Sequence, residues 1–150
     1  MVIHIERLVI LLAVWVCSGA LIGWFFARQP WQRLANPGPL TSLRPWENRH
    51  FYERILRVRA WKDRLPEAGT WFGGISKRRL PDSGEGGLAR FAAESLRAER
   101  VHDCYVVVLL CTLAWTRGWL AIVTLTFAVA INVPCIVVAR YNRIRLAHLA

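Results

Sequence analysis

A chain of 150 residues with a net charge of +10 and a mean hydropathy of +0.29 is too apolar for an ordinary soluble domain, and it is short enough for one domain only. Its four cysteines (Cys17, Cys104, Cys111 and Cys135) all lie in apolar runs without metal-ligand spacing, so they read as small buried hydrophobes and not as disulfides or a zinc site. Nucleic-acid binding is the rival explanation of such basicity. Apolar runs on both sides of the basic segment point instead to a lipid bilayer with anionic headgroups, or to phosphorylated substrates.

The first element is Leu8–Ala27, 20 residues without a charge. As a helix it spans roughly 30 Å, enough for one bilayer crossing. Ser18-Gly19-Ala20 loosely resembles a signal-peptidase site, but the apolar run continues seven residues beyond it. A signal anchor therefore fits better than a cleaved signal peptide.

Residues 28–100 follow, with 15 Lys+Arg against 8 Asp+Glu. Pro30, Pro37, Gly38 and Pro39 predict a loop. Pro45-Trp46-Glu47 opens a helix expected over about 46–65, since Pro is favoured in the first turn. Phe51, Ile55, Val58, Trp61 and Leu65 form its apolar stripe at helical spacing, surrounded by arginines. Such a helix suits the membrane interface, with packing on a small cytoplasmic cap as the plainer alternative. Residues 70–87 are rich in glycine and predict irregular chain around the basic run Lys77-Arg78-Arg79. A second helix is expected over about 88–103.

That helix runs into the short apolar stretch Cys104–Trp115, which at about 18 Å needs its flanks to cross a bilayer, giving a span of about 101–116. Thr116-Arg117-Gly118 forms a turn, and residues 119–139 form the last span, interrupted by Asn132 and Pro134. The tail 140–150 carries three arginines. By the positive-inside rule, segment 28–100 and the tail are cytoplasmic, while the N-terminus and the 116–118 turn lie outside. The fold class is therefore an all-α, multi-pass integral protein of the cell membrane. It has three transmembrane helices, an N-terminal anchor plus a C-terminal hairpin, and a cytoplasmic amphipathic-helical segment.

An antiparallel hairpin gathers residues near 100 and near 140 at one interface. That brings together Glu99, His102, Arg140, Asn142, Arg143 and Arg145. Acyl transfer to a hydroxyl needs a base for the hydroxyl proton and donors for the oxyanion. His102 has the intrinsic pKa for the base, and Glu99 one turn earlier is placed to orient it. Arg140, Asn142 or Arg143 then supply oxyanion or phosphate donors. Against this stand plainer roles: an interfacial His102, a Glu99 paired to a surface arginine, and a 140–145 block that only stops translocation.

Several motifs are similar to those of the glycosyl-4,4'-diaponeurosporenoate acyltransferase family. They are Trp61-Lys62-Asp63-Arg64-Leu65-Pro66, Phe91 to Glu94, Arg97-Ala98-Glu99-x-x-His102, Asn132-x-Pro134, and Arg140-Tyr141-Asn142-Arg143-x-Arg145-Leu146. The resemblance covers the chain from about Trp46 onward. It departs at Ala139, where the family commonly carries Gln. It implies esterification of the sugar of a glycosylated carotenoid or similar glycolipid, at its primary hydroxyl, by an activated fatty acyl donor such as acyl-CoA. No further cofactor and no metal are expected. His102 and Glu99 would be catalytic, and Arg97, Arg140, Asn142, Arg143, Arg145, Trp61 and Lys62 would bind substrate. A membrane subunit without catalysis, docking a partner enzyme through its basic face, is the competing class. A glycerolipid acyltransferase is a weaker one, because Asp103 directly follows His102 and the His-x-x-x-x-Asp spacing is missing.

Overall fold

The computed structural model describes residues 5–66 and 87–147. Every regular element among them is helical: α1 (Ile5–Ala27), α2 (Trp31–Leu34), a π-helical turn (Phe51–Ile55), α3 (Val58–Trp61), a 3-10 turn (Lys62–Arg64), α4 (Gly87–Trp115) and α5 (Trp119–Ala147). α1 and α5 are long and apolar enough to cross a membrane. The basic run Lys77-Arg78-Arg79 lies outside the described residues.

α4 is one unbroken helix of 29 residues, in which the helix expected over about 88–103 continues, as expected, into the apolar stretch of 101–116. Gly118, at φ +59, turns the chain, and α5 returns along α4 as an antiparallel hairpin. That dihedral is cheap only for glycine. Arg117 donates to the carbonyls of Leu113 and Ala114, closing the C-terminal end of α4. α1 lies against α4, with Trp15 stacked on Tyr105 at 5.6 Å and edge-on to Phe127 at 6.0 Å. A Cβ at Gly19 would sit 2.0 Å from the Tyr105 hydroxyl, so only glycine admits that ring. Outward from this bundle, Val9, Leu12, Val16 and Leu21 of α1, Val107 and Leu110 of α4, and Ile122, Phe127 and Val133 of α5 form an exposed apolar belt. Cys17 and Cys111 share that outer surface and are exposed, contrary to the burial expected of them.

The single amphipathic helix expected over 46–65 is not formed. The π-helical turn ends near Leu56, Arg57 takes a left-handed conformation (φ 50), and only four residues of α3 follow. The cause is packing. Tyr52 and Val58 are both buried, in one cluster with Tyr141 and Ile144 of α5. On a straight α-helix, residues six apart point about 120° away from each other, so both reach α5 only if the helix breaks. The Trp61 indole bridges the break, donating to the Leu56 carbonyl at 3.0 Å. Ile55, from the expected stripe, is left 63% exposed.

Candidate active site

Where α4 leaves the apolar belt, Glu99 is fully buried. Its Oε1 accepts from Arg140 Nη1 at 2.7 Å, and its Oε2 accepts from Arg143 Nη1. Arg140 and Arg143 stand three residues apart on α5, hence on one face of it. Arg140 also grips Glu47 with a two-pronged contact, Nε to Oε1 and Nη2 to Oε2, both 2.7 Å. Its Nη2 reaches the Ser42 carbonyl at 2.8 Å, and Arg143 Nη2 reaches the Thr41 carbonyl at 2.7 Å. That turn is set by Gly38, whose N–H donates to Thr41 Oγ1 and whose carbonyl accepts from Ser42 Oγ, both at 2.9 Å.

Two guanidinium groups and two carboxylates cancel formally, which is how charges are tolerated when buried. Burial alone would raise the Glu47 carboxyl. Hydrogen bonds from Arg140, from the Tyr52 hydroxyl at 2.6 Å and from the Arg44 N–H at 2.7 Å outweigh it and hold the group at about 2. Burial and the bond to Glu47 push the Tyr52 hydroxyl up, so it stays a donor.

One turn along α4, the His102 ring faces α5, and its Nδ1 lies 2.8 Å from Asn132 Oδ1. Asn132 is buried and spends its Nδ2 on the Ala128 carbonyl at 2.9 Å. The amide oxygen is therefore the acceptor and the shared hydrogen belongs to Nδ1, which puts the basic lone pair on Nε2. The ring also stacks on Tyr105, centroids 6.3 Å apart. This corrects the expected pairing: both oxygens of Glu99 are engaged by arginines, and the group that holds His102 is Asn132.

The remaining expected residues have other partners. Arg97 donates to the Gln29 carbonyl at 2.8 Å and pairs with Glu94 at 3.2 Å. Asn142 is fully buried. Arg145 lies over the Tyr141 ring at 5.6 Å. Trp61 packs against the Tyr52–Tyr141 cluster, and Lys62 pairs with Asp63 at 2.5 Å. Arg140 and Arg143 are engaged by carboxylates and by the backbone carbonyls of Ser42 and Thr41. None of Glu47, Tyr52 and Asn132 was among the expected site residues, although Asn132 stood in the Asn132-x-Pro134 motif. Only Asn132 carried a signal, as an amide inside an otherwise apolar run.

Residues 23–150 match the model of the glycosyl-4,4'-diaponeurosporenoate acyltransferase family, and the chain belongs to that family. A protein of Staphylococcus haemolyticus (strain JCSC1435) named glycosyl-4,4'-diaponeurosporenoate acyltransferase is 28% identical over 105 residues, covering 69% of this chain. The chain matches 61% of that relative's length. No solved structure matches. The matched segment contains the whole Glu99 cluster and the His102–Asn132 pair, and omits most of α1.

Proposed function

We propose that the chain is a membrane O-acyltransferase that moves a fatty acyl group from an activated donor to a sugar hydroxyl of a glycosylated carotenoid or similar glycolipid. The observation that carries this reading is the His102–Asn132 hydrogen bond, which fixes the ring and makes Nδ1 the donor, so that Nε2 is assigned the part of base. The family and the name of the Staphylococcus haemolyticus relative support the reaction class and the glycosylated acceptor.

With an acyl-CoA donor, Nε2 takes the proton of the sugar hydroxyl as its oxygen attacks the thioester carbonyl. The tetrahedral intermediate then collapses. An ester C–O bond forms, the C–S bond breaks, and the departing thiolate takes the proton from the imidazolium. Asn132 holds the tautomer throughout and accepts from the Nδ1–H that becomes more acidic as the ring charges. The Glu99–Arg140–Arg143 cluster fixes α5 against α4, and so fixes Asn132 against His102.

The topology belongs to the same proposal: three crossings by α1, the 101–116 part of α4, and α5 up to about residue 139. The site then faces the cytoplasm, where the basic segment lies and a soluble donor is at hand. Few side chains of α1 and α5 are buried, as a lipid-facing helix requires and a soluble core helix does not.

The test is turnover by the purified chain with acyl-CoA and a glycolipid. His102→Ala should lose about 10²- to 10⁴-fold in kcat while keeping its helix content and membrane insertion. A fully active His102→Ala protein would sink the assignment. A wild-type chain inert alone, but binding a partner enzyme, would favour the docking-subunit class.

A further inference from the structure

Aromatic side chains from all three long helices meet in a row that ends on the proposed base. Tyr105, three residues after His102 and so on the same face of α4, stacks on the imidazole with centroids 6.3 Å and planes 29° apart. Trp15 of α1 stacks on Tyr105 at 5.6 Å and 17°, and Phe127 of α5 meets Trp15 edge-on at 6.0 Å. These separations fall in the range of about 4.5–7 Å over which aromatic rings attract. The far end of the Tyr105 ring is set by α1, because its hydroxyl occupies the place where a Cβ of residue 19 would stand. Among the described residues no hydrogen bond reaches that hydroxyl, so His102 meets the ring and not the phenol group.

We propose that this row makes α1 a working part of the acyl-transfer site, with Tyr105 and Trp15 as positioning residues that set the plane of the His102 ring. The inference rests on the acyl-transfer reading and adds a third helix to its site. The hydrogen bond to Asn132 fixes one atom of the ring, Nδ1. By itself such a bond permits rotation about its own axis and about χ2, a torsion with a broad, roughly two-fold profile in histidine. A flat neighbour restricts that rotation, because tilting the imidazole would open a gap against the Tyr105 ring. Bond and stack together fix the line along which the Nε2 lone pair points. A base needs that if it is to meet a hydroxyl within about 2.6–3.2 Å.

The contacts close on themselves. His102 reaches Asn132 of α5 directly, and reaches Phe127 of the same helix by way of Tyr105 and Trp15. The ring is thus held from α5 by two routes, and the second passes through α1. A shift of α1 along α4 would move Trp15 off Tyr105 and disturb the stack on His102. A helix serving only as an anchor could slide or turn without consequence for the base. Glycine at position 19 is what keeps α1 close, since any side chain there pushes the Tyr105 ring away. Trp15 and Gly19 precede residue 23, where the family match begins, so membership of the family assigns them no part.

The test uses the full-length protein in nanodiscs, isotopically labelled on the histidine nitrogens, and reads turnover and the imidazole resonances together. In the wild type the His102 signals, identified by their loss in His102→Ala, should show hydrogen on Nδ1. Tyr105→Leu and Trp15→Leu should move them towards the average of two exchanging tautomers. Both should lower kcat about 3- to 10-fold, with KM for the acyl donor unchanged. Tyr105→Phe, which keeps the ring, should hold both readings near those of the wild type. A sharper variant replaces residues 8–27 with a leucine span of the same length. It should insert and still lose kcat, and restoring Trp15 and Gly19 alone should recover the loss. A leucine span with wild-type kcat would make α1 an anchor only and overturn the proposal, as would unmoved His102 signals in Tyr105→Leu. Signals that respond as expected in a chain whose wild type never turns over would instead fault the acyl-transfer reading and leave the row standing.

Discussion

Around Thr112 and Thr124 the α4–α5 seam is closed by small residues whose hydroxyls bond back to their own helices, at 2.8 Å to the carbonyls of Leu109 and Leu120. Around Glu99 the same seam is closed by charges that reach across 41 to 102 residues of sequence. A polar group satisfied by its own helix tolerates small shifts of its neighbour. One satisfied from three directions does not. The apolar end therefore supplies close approach of helices, in the manner of membrane packing, while the ionic end supplies register. His102 meets Asn132 at their border, where the proposed base lies.

The comparison is broken most sharply at Glu99. Glu99→Ala leaves Arg140 and Arg143 buried without their shared carboxylate, and should cost about 3–5 kcal/mol in denaturant unfolding. Ile122→Ala, in the exposed belt, should leave the same transition in detergent nearly unmoved. Equal losses would mean that the cluster does not set the register. Next comes Gly19→Ala, whose new Cβ displaces the Tyr105 ring and should cost about 1–3 kcal/mol. Tyr105→Phe should recover part of that loss by removing the atom in the way.

Acid sharpens the contrast further. The Glu47 carboxyl is held at about 2 in the fold, below its ordinary 4.5. A depressed carboxyl contributes stability that is complete above its unfolded value and is lost as pH falls through its folded one. Stability should therefore decline from near pH 4.5 towards pH 2. Glu47→Gln should flatten that limb in an acid titration followed by circular dichroism, and an unchanged limb would place the acid-sensitive group elsewhere. The smallest effect is expected at Asn132. Asn132→Leu should lower kcat by less than His102→Ala does, because the ring loses its orienting partner but keeps its lone pair. A loss as large as that of His102→Ala would make the amide more than a positioning group.

The hairpin was legible because two apolar runs and a Gly-containing turn leave a short chain few alternatives. The convergence of Glu99 with Arg140 and Arg143 followed from that hairpin, since three-residue steps on facing helices meet. What each side chain does there was not legible. Glu99 and His102 share a helix turn, and their spacing could not reveal that arginines would claim the carboxylate. Glu47 read as a first-turn helix residue, and nothing local announces a partner 93 residues away. The 46–65 stripe misled because a periodic pattern does not record which face must bend to bury Tyr52 and Val58 together. The glycine-rich stretch with Lys77-Arg78-Arg79 lies outside the described residues.

The contacts of Arg140 also set an order of events during synthesis. Glu47, Ser42 and Thr41 leave the ribosome nearly a hundred residues before the arginines that hold them. Until α5 is complete, the Glu47 carboxylate has only Tyr52 and the Arg44 N–H for company, and Glu99 has neither guanidinium. Contacts closed over such separations form late. The segment that carries the loop thus waits, half assembled, for the last helix, and a nascent chain arrested before Arg140 should be open to protease across residues 38–56. Closure of this end therefore comes last, once both arms of the hairpin have been made.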